Sequence, residues 1–196
     1  MASKKKQIRE QIAREIEANP PLGRDFFKGE RYKTLFALWS EPHKIIMNNA
    51  FADVGNGDKQ RELTLGDLQP AYRYIFNEAV APTHAKAVKI CRLLEEFRNA
   101  GGAFEYLESE QVKDYIQKLD KDFLRCQRKI KDVDREIGVF RPETKRQRPG
   151  SPLGHLLLPP APEAQCMELD RWLKKEVYPS IREGRSSLKL ALKNQP

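Results

Sequence analysis

Between residues 118 and 135 the chain places Lys118, Lys121, Arg125, Arg128, Lys131 and Arg135 at intervals of three or four. That spacing returns side chains to one face of an α-helix, so these cations would form a row along a single element. Such a row is complementary to nucleic-acid phosphates. Each contact would release condensed counterions, giving a salt-dependent association that reads no base sequence. A second cluster, Lys145, Arg146 and Arg148, stands beside Ser151-Pro152. It has the character of a phosphate-binding or nuclear-import patch next to a phosphorylation site. Lys4-Lys5-Lys6 and the residues Arg182, Arg185, Lys189 and Lys193 add basic ends. The plainer reading of each is a solvated face that keeps the chain soluble.

Other chemistry finds little footing. His43, His84 and His155 stand far apart, without the second histidine at short spacing that a metal site needs. No GxxxxGK, GxGxxG or GxSxG occurs. The stretch from Asp53 to Asp58 has glycines where a calcium loop requires oxygen ligands. Cys91, Cys126 and Cys166 are odd in number and lack a CxxC pair, which fits reduced thiols in a reducing compartment. No catalytic residue, metal or cofactor is therefore expected, and the chain reads as non-enzymatic. A catalytic site assembled from distant residues would leave no local motif and stands as a third reading.

Aromatics interleave with cations in Arg31-Tyr32-Lys33 and Tyr72-Arg73-Tyr74, an arrangement that can stack on bases of single strands. Helical periodicity assigns Tyr72, Ile75 and Phe76 to a buried face, leaving Arg73 and Tyr74 as the exposed pair.

The elements that must carry these residues are helices. Ser109 opens the longest, expected over about residues 110–137. Its apolar positions, Val112, Ile116, Leu119, Phe123, Cys126, Ile130, Val133 and Ile137, alternate intervals of four and three as a heptad seam. Gly138 closes it. The seam's flanks are mixed but largely acidic, with Asp120, Asp122, Asp134 and Glu136 against Lys113 and Lys129, so the helix has an apolar front, acidic shoulders and a cationic back. Tyr115 and Leu124 widen the front, favouring burial in a bundle over a free coiled coil.

Upstream, Ile8, Ile12 and Ile16 stripe a charged helix over Lys4 to Ala18 that stops at Asn19-Pro20-Pro21 and needs a docking surface. An aromatic helix over 30–40 holds Tyr32, Leu35, Phe36, Leu38 and Trp39, and a short helix follows near Ile45 to Phe51. Gly55-Asn56-Gly57-Asp58 forms a loop. Asp67 caps a helix with Pro70 in its first turn, and Pro82-Thr83 restarts the chain with Thr83 as the next cap. Gly101-Gly102 ends that helix in a left-handed turn. Downstream of Val139, six prolines make a linker, and a last helix around Met167 to Val177 ends before Pro179. The alternation over Leu188 to Lys193 is too brief to assign. No internal repeat is evident.

The stretch from Leu169 to Arg182, with Trp172 ahead of Pro179-Ser180-Ile181-Arg182, resembles a segment of phage antirepressor-type DNA-binding domains. There a tryptophan helix leads into a Pro-Ser-Ile-Arg turn. The resemblance covers that stretch alone, with no strand-rich region before it, and no function is carried across.

The chain thus reads as all-α, an irregular multi-helix bundle built on the long heptad-patterned helix. The divisions are a charged arm over 1–20, a helical core over 25–138, a Pro-rich basic linker over 139–165 and a C-terminal helix and tail over 166–196. Its net charge of +8, with 33% charged and 39% hydrophobic residues, suits an anionic partner. No run approaches the roughly 18 apolar residues of a membrane span. An intracellular protein is expected, cytoplasmic or, in a eukaryotic setting, nuclear. The leading expectation is nucleic-acid binding, or docking on a nucleoprotein assembly, through phosphate contacts. The alternative is a helical scaffold whose seam or two end helices dock on a protein partner or self-associate, with the charge serving solubility or an acidic partner.

Overall fold

The structure, a computed structural model, describes residues 4–28, 30, 33–35, 37–38, 65–102, 109–137 and 163–193. Among them the fold is all-α, with no strand. The short helix near Ile45, the loop at Gly55, the closing Gly138 and the basic linker lie outside the described residues.

The first helix, α1 (Lys4–Ala18), forms as its isoleucine stripe predicts. Ile8 and Ile12 are buried, and the docking surface this marginal helix needs is the chain's own α3 (Ala81–Asn99). The two run antiparallel. Lys89 pairs with Glu15 at 2.6 Å, Lys86 donates to the Pro20 carbonyl at 2.6 Å, and Lys5 lies beside Gly101. The last of these sets a cation near the exposed carbonyls of a helix C-terminus, where the helix dipole favours it.

Two expectations about α3 and its predecessor need correction. Asp67 does not cap: α2 spans Leu65–Ile75, so Asp67 lies inside it and Pro70 is beyond the first turn. Nor does Pro82-Thr83 restart the chain. A wide π-helical turn over Phe76–Val80 joins α2 to α3 without a break, and Thr83 is buried inside the helix. Proline lacks an amide hydrogen, and its ring presses on the carbonyl four residues back. Widening the turn relieves that pressure. Here the Ala81 amide donates to the Phe76 carbonyl, five residues back, and the helix continues through Pro82.

The same device appears at the other end. Helix α5 (Glu163–Trp172) passes through a π-helical turn at Leu173–Val177 into α6 (Tyr178–Lys193), and the Tyr178 amide donates to the Leu173 carbonyl. The last helix therefore does not stop before Pro179. The Pro-Ser-Ile-Arg stretch is helix interior, not a turn, and Leu188 to Lys193 is helical. In both cases valine ends the π turn, proline stands two residues later, and a hydroxyl residue follows: Val80-Ala81-Pro82-Thr83 and Val177-Tyr178-Pro179-Ser180. The two interrupted helices pack side by side and parallel, with α2 on α5 and α3 extensively on α6. Their π turns stand level, joined by an edge-on contact of Phe76 with Trp172 at 5.5 Å between ring centres. The two stretches thus share a backbone device, a widened turn just before a proline.

The long helix, α4 (Ser109–Ile137), packs on α2, α3 and α6. The turn before it is a Schellman motif. Gly101 has φ 73, its amide donates to Arg98 and the Gly102 amide to Phe97, as the glycine pair predicts. Helix α3 is the hub of the bundle. Tyr72, Ile75, Ile90, Phe97, Ile116, Leu119, Phe123, Leu173 and Leu188 meet in one continuous core with Ile8 and Ile12. From the aromatic segment, Leu35 is buried and Leu38 packs against the same core.

Candidate nucleic-acid interface

Helix α4 divides into front, shoulders and back. On the front, Val112, Ile116, Leu119, Phe123, Cys126 and Ile130 are each at most 2% exposed. Over this length the seam is core of the chain itself. The Val133 and Ile137 side chains lie outside the described residues.

Two of the acidic shoulder residues, Asp122 and Asp120, hold neighbouring segments, and the Asp134 and Glu136 side chains lie outside the described residues. On one side Asp122, 1% exposed, accepts the Gly23 amide at 3.1 and 3.3 Å and pairs with Arg125. Two turns away, Tyr115 donates its hydroxyl to the Asn19 carbonyl at 2.8 Å. These bonds tie the chain leaving α1 to α4. On the other side Asp120 accepts from Arg185 of α6, at 2.7 Å from Nε and 3.4 Å from Nη2. Beside it α4 and α6 approach closely: a Cβ on Gly184 would lie 2.4 Å from the Phe123 ring. Shoulders that read as mere flanking charge in the sequence are the joints of the bundle. A carboxylate one step outside an apolar seam, facing a glycine or arginine far along the chain, gives no local signal of its partner.

Burial pushes the ionisable front groups away from charge. The Tyr115 hydroxyl is raised to about 12 by burial and then by the nearby Glu15 carboxylate. The Cys126 thiol rises to about 12 through burial and then the Asp122 charge, and burial raises Cys91 to about 11. None of these thiols is set up as a nucleophile.

On the back, Lys118, Lys121, Arg128 and Lys131 are exposed. Lys118 pairs with Asp114 at 2.6 Å across an exposed turn, a contact worth little in water and easily exchanged for phosphate. Lys121, Arg128 and Lys131 form no ion pair with a described residue. From Lys118 to Lys131 the row runs about 20 Å at the helical rise. Arg125 differs: its side chain is 26% exposed and is drawn into the buried Asp122 pair. The Arg135 side chain, with Lys145, Arg146 and Arg148, lies outside the described residues.

Other sequence-marked residues gather less. Arg73 is exposed while Tyr74 is half-buried against the core. Arg73 lines a shallow depression between α2 and α5 with Gln69, Glu168, Leu169 and Trp172. The Trp172 ring is already engaged by Phe76, and its indole N–H donates to Glu176 at 3.0 Å. Among the described residues no group of histidine, cysteine and carboxylate side chains could hold a metal, and no helix is long and apolar enough to cross a membrane.

No known protein family, curated protein or solved structure matches this chain.

Proposed function

We propose that this protein binds nucleic acid, free or in a nucleoprotein assembly, through sequence-independent phosphate contacts along the back of α4. One observation carries the reading: the face holding Lys118, Lys121, Arg128 and Lys131 is exposed, while the opposite face is spent on the core. A helix anchored on three sides presents its cations as a fixed row, so few degrees of freedom are lost when phosphates bind. Arg125 serves the row indirectly, through its pair with Asp122. Lys145, Arg146 and Arg148 extend the same chemistry along the chain. The form of the scaffold alternative that docks through the seam from Val112 to Ile130 finds those residues covered by the chain itself.

Titration against DNA and RNA at two salt concentrations tests the proposal. Four cations on duplex DNA give a slope of log K against log salt of about −3.6. The K121E/R128E/K131E variant should lose binding while unfolding at the wild-type urea concentration. Wild-type binding without a salt slope sinks the reading.

A further inference from the structure

The cationic back of α4 has a counterpart on α6. Arg182, Lys189 and Lys193 are exposed and fall on one side of that helix, next to the stripe that carries Arg185. Arg185 reaches across to Asp120, which fixes where this side faces. Going round α6 from its buried Ile181 and Leu188, one meets Arg185 and then Lys189, Arg182 and Lys193. Going round α4 from its buried Phe123, one meets Asp120 and then Lys131, Arg128 and Lys121. Both paths leave the core through the same salt bridge, so both sets of cations emerge on the same side of the molecule. The helices are antiparallel, since Asp120 pairs with Arg185 while Phe123 meets the preceding Gly184. The result is two staggered cationic rails: Lys121 and Arg182 flank the salt bridge, about one quarter exposed on each partner, while Arg128 and Lys131 extend towards one end and Lys189 and Lys193 towards the other.

We infer that the α4–α6 surface is a two-rail site for double-stranded nucleic acid, each rail following the phosphates of one strand. This rests on the proposed phosphate-binding role of α4 and adds the class of nucleic acid and a second helix. Packed helices lie about 8–10 Å apart. The cations point outward from both helices, so the rails stand farther apart than the axes, on the scale of the duplex major groove, about 12 Å wide, and so suit strands facing each other across it. Single-strand sites depend instead on aromatic platforms for the bases. The aromatics of α4 and α6 whose side chains are described, Tyr115, Phe123 and Tyr178, are buried or packed against the core.

The test compares the wild type, R182Q/K189Q/K193Q and K121Q/R128Q/K131Q on one duplex and on its separate strands across a salt series. With both rails engaged, seven cations, Lys118 included, give a slope of about −6 on duplex DNA, and either triple variant leaves four cations and should bring it to about −3.6. Duplex should bind more tightly than either strand. If the α6 variant keeps the wild-type slope while the α4 variant loses it, the two-rail site is wrong and the α4 reading stands. Tighter binding to single strands also overturns the two-rail site. A wild type that binds no nucleic acid removes both. Thermal unfolding of each variant confirms that the bundle is intact before its slope is read.

Discussion

Asp122 and Gly23, distant in sequence, are joined by a buried carboxylate that accepts a backbone amide through both oxygens, at 3.1 and 3.3 Å. Gly23 has φ 68 and ψ −169, a conformation essentially confined to glycine. The chain leaving α1 thus takes a bend that glycine makes without steric strain and is held there by the same residue that engages Arg125. Removing the carboxylate orphans the Gly23 amide and the guanidinium together. D122A should therefore lose about 2 kcal/mol in urea unfolding. G23A should lose about 1–3 kcal/mol through backbone strain alone, since a Cβ there meets nothing within 4 Å. A G23A variant as stable as wild type would contradict this account of the bend.

The α4–α6 crossing depends on a missing side chain. At Gly184 a Cβ would sit 2.4 and 2.8 Å from atoms of the Phe123 ring, and Phe123 is wholly buried. G184A should cost about 1–3 kcal/mol, as overpacked cores do. In G184A/F123L the smaller side chain makes room. The double variant should lose less than the sum of the two single changes, a coupling read from a double-mutant cycle in urea. Strict additivity would place the contact elsewhere.

How much of this was legible in the sequence follows from where the information lies. Helix α4 shows itself because Val112 to Ile130 repeat at the helical period, and the chain stops after α3 because Gly101 supplies a positive φ. Pro82 and Pro179 mislead because a widened turn just before each one relieves the clash that would otherwise end the helix there. Five-residue hydrogen bonding at Phe76–Val80 and Leu173–Val177 removes the clash, and no residue type announces that choice. For the site, the exposure of Lys121, Arg128 and Lys131 follows from helical phase. The diversion of Arg125 depends on the burial of Asp122, and the second rail depends on Arg185 finding Asp120. Both are tertiary facts.

Stability should fall at alkaline pH. In the folded chain Tyr115 is raised to about 12 from its usual 10, and Cys91 and Cys126 to about 11 and 12 from 9. The unfolded chain therefore releases these protons at lower pH than the folded one. Between the unfolded and folded values the native state holds more protons, so each step up in pH favours unfolding. The stabilisation is complete below about pH 9 and is lost progressively towards pH 12. Urea midpoints measured from pH 8 upward should decline, and Y115F should flatten the part above pH 10 while forfeiting the hydrogen bond to Asn19. A midpoint that does not move over this range would mean the groups are not buried as described.

The floor of the α4–α6 groove makes a separable prediction. Arg185 meets Asp120 through two nitrogens, the forked geometry in which an arginine–carboxylate pair gains the most. Both groups are about a quarter exposed, so solvent screens part of that gain. D120A and R185A should each cost about 1 kcal/mol, and D120A/R185A scarcely more than either, giving a coupling of about 1 kcal/mol. Zero coupling would mean that the two helices are not locked at this point. The alanine variants also alter the floor's charge in opposite directions. D120A unmasks a guanidinium between the rails and should tighten phosphate binding, whereas R185A leaves an unpaired carboxylate there and should weaken it. Affinity and stability would then move together for R185A and in opposite senses for D120A. A purely structural joint, remote from any ligand, would change stability in both and affinity in neither.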